Sequence, residues 1–433
     1  MNFKKISILI LTLLLAAMSL VSCRNKNSDE ESSSNSSDIV TLNVYNWGEY
    51  ISDGSLGSLD TNKAFEKYYF DKYGKKVIVN YTTYATNEDM YSKLKNSAVV
   101  YDIVVPSDYM IEKMISEDML LEFDVESDIK NYSQIDEAFK GLYYDPESRY
   151  SVPYTYGMVG IIYNTNLVDP EDYEEQSWSL LWNEKYSGKI LQFNNPRDAF
   201  GSAMYYKGID INSTNTADWD YALEVLKMQK PLVQGYVNDE IFNKMTTASA
   251  AIAPYFAGDF ITMADQEEAL AFYYPKEGTN YFVDAMCIPK NAAYPEIAKE
   301  YINFMLTEEP AVANAIAIGY SSPNTVVQNS PTYHEEMGET AIEILYGATP
   351  DVINERYNAK FETACYKSFS NDMQAYVNML WESLKTENAT ELWIHISSIA
   401  IVISVTALGI YTTYIKKKRS KHYRLRDKAK KPA

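Results

Sequence analysis

The chain has 433 residues, more than one hydrophobic core usually organises, so two globular lobes with additional segments are expected. Its 39 Lys and Arg face 59 Asp and Glu, and ten of the basic residues follow Ile415, which leaves 25 basic and 54 acidic side chains in residues 39–391. A body that acidic repels phosphate backbones, which argues against nucleic acid as a partner and directs attention to cationic ligands.

In chain order, Lys4 and Lys5 precede an apolar run from Ile6 that ends in small residues, the layout of an export signal over residues 1–23. Leu20-Val21-Ser22-Cys23 has the form of a bacterial lipobox, so Cys23 is expected to be lipidated and to become the N-terminus. Residues 24–38 are rich in Ser, Asn, Asp and Glu and read as a flexible tether. A strand at Thr41–Trp47, a helix at Thr61–Lys72, a strand at Lys76–Tyr81, a helix at Asn87–Lys95 and a strand at Asp102–Ser107 follow. This βαβα rhythm predicts an α/β lobe with a largely parallel sheet, and in such sheets ligands sit beyond the carboxyl ends of strands.

A second region opens near Ser151. It is expected to hold strands at Val159–Tyr163 and Lys189–Phe193, helices at Trp178–Asn183, Ala199–Lys207 and Ala217–Gln229, and a further segment at Ala248–Ala253. A strand at Asp284–Pro289, a helix at Pro295–Leu306 and helical residues 335–386 complete the body. Cys287 falls in a strand that reads as buried, and with Cys365 as the other body cysteine no disulfide framework is expected. Leu392–Ile415 contains 24 residues without Asp, Glu, Lys or Arg, enough to cross a hydrocarbon core of ~30 Å. Trp393, Tyr411 and Tyr414 sit near its ends, and the basic residues 416–433 place the C-terminus in the cytoplasm and the body outside.

Much chemistry is missing. The three histidines are His334, His395 and His422, so neither a His-based triad nor a His-rich metal site can be assembled, and nucleotide-binding glycine motifs are absent from the body. No motif supports an enzyme. What the chain does offer is aromatic residues beside carboxylates where strands end: Tyr45-Asn46-Trp47-Gly48-Glu49-Tyr50, Pro106-Ser107-Asp108-Tyr109, Asn194-Asn195-Pro196-Arg197-Asp198, Pro254-Tyr255-Phe256-Ala257-Gly258-Asp259 and Tyr281-Phe282-Val283-Asp284. A linear polyamine needs walls of this kind. Its ammonium groups, with pKa values near 10, must meet carboxylates, and its methylenes favour ring faces.

The stretches YNWGEY, YDIVVPSDYM, YSVPYTYG, NNPRDAF, PKEGTNYFVDAMCIPKNA and IGYSSPN, in this order over residues 40–386, resemble the bacterial spermidine/putrescine-binding proteins of polyamine ABC importers. The resemblance implies a two-lobed, type II-like periplasmic-binding-protein α/β fold with a hinge, here with one C-terminal transmembrane helix. It also implies no catalytic activity and no cofactor, with delivery of polyamine to an ABC permease and its ATPase. Residues 39–152 with about 285–330 would form lobe 1, 153–284 lobe 2, and 331–391 a helical segment packed on both, followed by the span at 392–415 and the tail at 416–433.

By the same resemblance, Trp47 and Tyr50 belong to the first ligand loop and Ser107, Asp108 and Tyr109 to the second. Asp198 and Asp284 stand where acids hold amines, and Asp259 matches an acid of some putrescine-binding relatives. Phe256 and Phe282 replace tryptophans that sandwich the methylenes, and Ser370 is a further polar contact. Gly48 replaces a hydroxyl residue and Asn195 an acid. Loss of a carboxylate and of two indoles favours a diamine over a triamine. Two alternatives stay open: a ferric-ion binder of the same fold, given the pairs Tyr68-Tyr69, Tyr143-Tyr144, Tyr205-Tyr206 and Tyr273-Tyr274, and a membrane-anchored polyamine sensor.

Overall fold

The structure, a computed structural model, describes residues 39–96, 98–347 and 363–429. The leader, Cys23 and the tether lie outside the described residues, as does the 348–362 part of the expected helical stretch.

The alternating Val40–Trp47 run forms β1, which pairs in parallel with β2 (Val77–Tyr84) and β3 (Ile103–Val104). Helix α1 (Thr61–Tyr73) crosses between β1 and β2. The carboxylate of Asp60 accepts from the Lys63 amide at its start, and Gly74, at φ 66°, ends it in the left-handed conformation that suits glycine. Helices α2 (Asn87–Asn96) and α3 (Asp108–Ser116) follow β2 and β3.

The long strand β4 (Ser151–Asn164) then runs out of this group. Farther along, β5 (Ile190–Phe193) pairs in parallel with β6 (Val233–Val237) and β7 (Ile252–Phe256). Strands β8 (Leu270–Tyr273) and β9 (Tyr281–Cys287) return antiparallel to β4, β9 against its first half and β7 and β8 against its second. The sheet order is β2-β1-β3-β9-β4-β7-β5-β6, with β8 on β4. Strands β1–β3 and β5–β8 are thus the centres of two α/β lobes joined through β4 and β9. Helices α4 (Pro196–Lys207), α5 (Thr216–Gln229) and α6 (Ala257–Ala264) belong to the second group, and α7 (Pro295–Met305) and α8 (Glu308–Ile318) follow β9.

Several expectations need correction. The sheet is mixed, because β4 and β9 run antiparallel to their neighbours. Only the apolar second half of β4 is visible in the sequence. Its first half carries Pro153 and Gly157, residues that normally interrupt strands, and the register shifts between Pro153 and Thr155. Trp178–Trp182 is a 3-10 turn. Residues 363–370 are not helical: the Tyr281 amide donates to the Ala364 carbonyl at 3.1 Å and the Ala364 amide to Thr279 at 3.2 Å, so this segment lies along the start of β9.

Helix α9 (Asn371–Ala429) begins on the body, where Val377, Leu380, Trp381 and Leu384 are buried and Trp381 meets Tyr236 edge-on at 5.5 Å. Farther along it carries the 18-residue apolar stretch Ser398–Ile415, none of which is buried. Cys287 is buried in β9 and Cys365 is half-buried; both are free thiols.

Candidate ligand-binding cleft

The carboxyl ends of β1, β3, β5, β6 and β7 converge on one cleft enclosing about 940 Å³ of non-atom space, its open mouth included. β1 delivers Trp47 to Tyr50, β3 delivers Ser107 to Tyr109, and β5 runs into Asn195, Arg197 and Asp198. β7 ends in Phe256 ahead of Asp259, and β9 contributes Phe282 and Asp284, two residues apart and therefore on one face of the strand. This is where an α/β sheet usually holds a ligand.

Of the residues expected from sequence, Trp47, Tyr50, Ser107, Asp108, Tyr109, Asp198, Phe256, Asp259, Phe282 and Asp284 all line the cleft. Ser370 does not. It is exposed at the start of α9, where its Oγ accepts from the Met373 amide at 3.3 Å, and Tyr366 from the preceding extended segment lines the cleft instead.

Asp284 lies at the heart of the cleft. Its Oδ2 accepts from the Tyr50 hydroxyl at 2.6 Å, and that hydroxyl also meets Thr155 Oγ1 at 2.6 Å. Its Oδ1 is buried with no hydrogen-bond partner among the described residues. Burial pushes the Asp284 carboxyl up to about 6, although Ser107 and Tyr50 pull it back part of the way. Asp259 accepts from the Tyr320 hydroxyl at 2.5 Å and is pushed up to about 7, by burial first and then by the charges of Asp239 and Glu49.

Asp108 is also pushed up to about 7, chiefly by burial. It accepts from its neighbour Tyr109 and from the Val283 amide at 3.2 Å, which ties α3 to β9. Asp198 sits in the first turn of α4. Asn195 caps that helix, accepting from the Asp198 amide at 2.9 Å and donating Nδ2 to the Asp198 carboxylate at 2.8 Å. Burial raises the Asp198 carboxyl, which Arg197 opposes.

The aromatic walls are continuous. Trp47 Nε1 donates to the Val105 carbonyl at 2.9 Å, fixing the indole against Tyr84. Phe256 and Phe282 pack edge-to-face with centroids 5.3 Å apart, and Phe282 meets Tyr320 at 5.8 Å. Two rings in direct edge contact leave no slot between them, so together they form one wall of the cleft.

Other lining residues were not picked out from sequence. Glu49 and Glu88 add carboxylates, and Glu49 has a left-handed backbone (φ 50°), uncommon for a side chain of its kind. Arg197 is buried, with Nη1 donating to the Lys367 carbonyl at 3.0 Å and its guanidinium centre 4.4 Å from the Tyr366 ring. Asp239 follows the end of β6, a short half-exposed strand with a central glycine and no clear alternation, and Phe242 lies in the short helix after it. The four tyrosine pairs considered for iron contribute no side chain to the lining.

Among the described residues, Glu49, Glu88, Asp108, Asp198, Asp239, Asp259 and Asp284 face a single cation, Arg197. Close packing around this wall has a testable consequence. A β-carbon at Gly258 would lie 2.2 Å from the Tyr320 ring, so Gly258→Ala must displace Tyr320 and its bond to Asp259. The expected cost is about 1–3 kcal/mol of stability, read from the urea midpoint, together with weaker ligand binding.

A family model described as bacterial extracellular solute-binding protein matches residues 60–339. The spermidine/putrescine-binding periplasmic protein of Salmonella typhimurium is 34% identical over 294 residues, which is 68% of this chain and 80% of that protein. The putrescine/cadaverine-binding protein of Pseudomonas aeruginosa is 26% identical over 79% of this chain and 93% of its own length. Among solved structures, the spermidine/putrescine ABC transporter substrate-binding protein PotD of Streptococcus pneumoniae superposes with a TM-score of 0.61 at 30% identity, covering 80% of this chain and 99% of that one. With an acidic aromatic cleft between two α/β lobes and a family match over most of its body, the chain belongs to the bacterial extracellular solute-binding proteins.

Proposed function

We propose that the protein captures a polyamine of the putrescine/spermidine class outside the cytoplasm and delivers it to an ABC permease. The observation that carries this reading is the set of seven carboxylates facing one arginine, among the described residues, in an aromatic-walled cleft. Ammonium groups balance such charge and methylenes lie along such walls, whereas an anionic or neutral solute would leave buried carboxylates uncompensated. The relatives named for spermidine, putrescine and cadaverine point the same way.

In this reading the ligand contacts are Trp47, Tyr50, Ser107, Asp108, Tyr109, Asp198, Phe256, Asp259, Phe282 and Asp284. The lobes are residues 39–152 with 285–330 and residues 153–284, hinged through β4 and β9. A diamine is preferred, because Asn195 stands where a third ammonium would want an acid and Arg197 already occupies that end with positive charge. Cys23 carries lipid, and the exposed apolar stretch of α9 crosses the membrane with the basic tail in the cytoplasm. The protein works as a binding component and not as an enzyme, like the family to which it belongs.

Titration calorimetry of the full chain in detergent micelles tests the proposal. Putrescine is expected to bind one to one with micromolar or tighter affinity, about −8 kcal/mol or better, and more tightly than spermidine. Absence of heat with both polyamines refutes the function, and tighter spermidine binding refutes the diamine preference.

A further inference from the structure

Asp239 occupies the N-cap position of the short helix Glu240–Thr246, yet its carboxylate accepts no capping hydrogen bond. The neighbouring Glu240 does the local structural work, its Oε2 accepting from the Asn238 amide at 3.0 Å. Asp239 keeps much of its surface exposed to solvent, and partial desolvation and the like charge of Glu240 both disfavour its ionised form. An acid with no structural employment, lining a cleft, is available for a ligand.

Gly48, on the facing loop after β1, explains how Asp239 comes to be there. Its backbone is not in the left-handed region, so glycine is not needed for conformation. What glycine supplies is room. A β-carbon at position 48 would lie 2.6 Å from Asp239 Oδ2, and its three nearest atoms would all belong to the Asp239 carboxylate. The residue that departs from the family pattern is therefore the one that admits a carboxylate from across the cleft.

The acid does not stand alone. Glu49, the neighbour of Gly48, brings a second carboxylate to the loop that faces Asp239, and both line the cleft with Asp259, whose carboxyl they push up, whereas Arg197 partly offsets Asp198 and Glu88. Between them Asp284 Oδ1 is buried without a partner. Among the described residues no such side chains are grouped to hold a metal ion, so the complement is an organic cation with separated charges.

We propose that Asp239, admitted by Gly48, is a further ligand-binding carboxylate that completes with Glu49 and Asp259 the receptor for one terminal ammonium, opposite the end where Asn195 replaces an acid. A primary ammonium has three N–H donors, and the carboxylates of this end of the cleft offer it charged acceptors. This deepens the polyamine reading and rests on it.

The test is putrescine titration of the full chain in micelles, comparing wild type with Asp239→Asn, Gly48→Ala, the double variant, and Glu240→Gln as a control of equal charge change outside the cleft lining. Asp239→Asn and Gly48→Ala are each expected to weaken binding at least tenfold and Glu240→Gln less than threefold. Because Gly48→Ala acts by displacing Asp239, the double variant should bind no worse than Asp239→Asn alone. Binding by Asp239→Asn within twofold of wild type overturns the proposal, as does an equal loss in Glu240→Gln, which would mark bulk electrostatics. Losses that multiply in the double variant overturn the role given to Gly48. A wild type that binds no polyamine removes the proposed function and this inference with it, whereas a wild type that binds with an inert Asp239→Asn removes only the inference.

Discussion

Asp284→Asn is expected to weaken putrescine binding about 100-fold, equivalent to about 3 kcal/mol. The reason lies in how the carboxylate is held. Tyr50, whose hydroxyl also meets Thr155, donates to one oxygen, and the other oxygen is buried with no hydrogen-bond partner among the described residues. A buried half-satisfied carboxylate destabilises the empty protein, and a ligand ammonium is the group that relieves it. Asparagine keeps the shape and removes the charge, so the loss falls on the ligand's cation and not on packing. Tyr50→Phe should have a smaller effect, about tenfold, because it takes away one hydrogen bond to the carboxylate and leaves the charge in place. Calorimetry on both variants checks the order. Undiminished affinity in Asp284→Asn would mean that the ammonium sits elsewhere. The empty variant should also melt higher than wild type at pH 8, where the native carboxylate is ionised and unpaired.

The readability of this cleft from sequence follows its physical construction. Each of the strand ends at Trp47, Ser107, Asn195 and Phe256 carries an aromatic or acidic residue nearby and follows a recognisable apolar run, and Asp284 lies within such a run in β9, so these groups are legible from sequence. Strand β6 broke that logic. Its VQGYV sequence is half-exposed and interrupted by glycine, so its end was not recognised as a strand end, and Asp239 went unnoticed. Glu88 escaped for another reason: it lies in the first turn of α2, where an acid is ordinary for helix electrostatics and carries no sign of a neighbouring cleft. Ser370 shows the opposite failure. The family resemblance implied a contact there, but the Ser370 hydroxyl caps a helix, while Tyr366, four residues earlier, reaches the cleft because the segment from Ala364 lies along the start of β9 and is not helical. The edge-to-face packing of Phe256 on Phe282 is not legible at all, since sequence gives no ring angle.

Putrescine affinity is expected to rise at least tenfold between pH 5 and pH 7.5. In the empty protein burial raises Asp259 to about 7 and Asp284 to about 6, so both hold protons for much of the time near pH 6. An ammonium beside them favours their ionised forms and draws these values down. The complex therefore carries fewer protons than the free protein in this window, binding releases protons, and affinity grows with pH until both carboxyls are ionised without help. The gain should level off near pH 8 and reverse only when the amines themselves lose protons, near 10. Exposed acids do not blur the window, because they titrate around 4. Stability of the empty protein should move in the opposite direction. Asp108, Asp259 and Asp284 are raised from an unfolded value near 3.8, so the folded state binds more protons than the unfolded state between about pH 4 and pH 7. Their contribution is fully present below the unfolded value and is lost as pH rises through 6 to 7. The melting temperature of the empty protein should accordingly fall from pH 5 to pH 8, while the upward shift produced by saturating putrescine grows. Calorimetry in two buffers of different ionisation enthalpy at pH 6 measures the proton release directly. Equal heats in both buffers, with an affinity flat from pH 5 to 7.5, would show that the cleft carboxylates are already ionised before the ligand arrives.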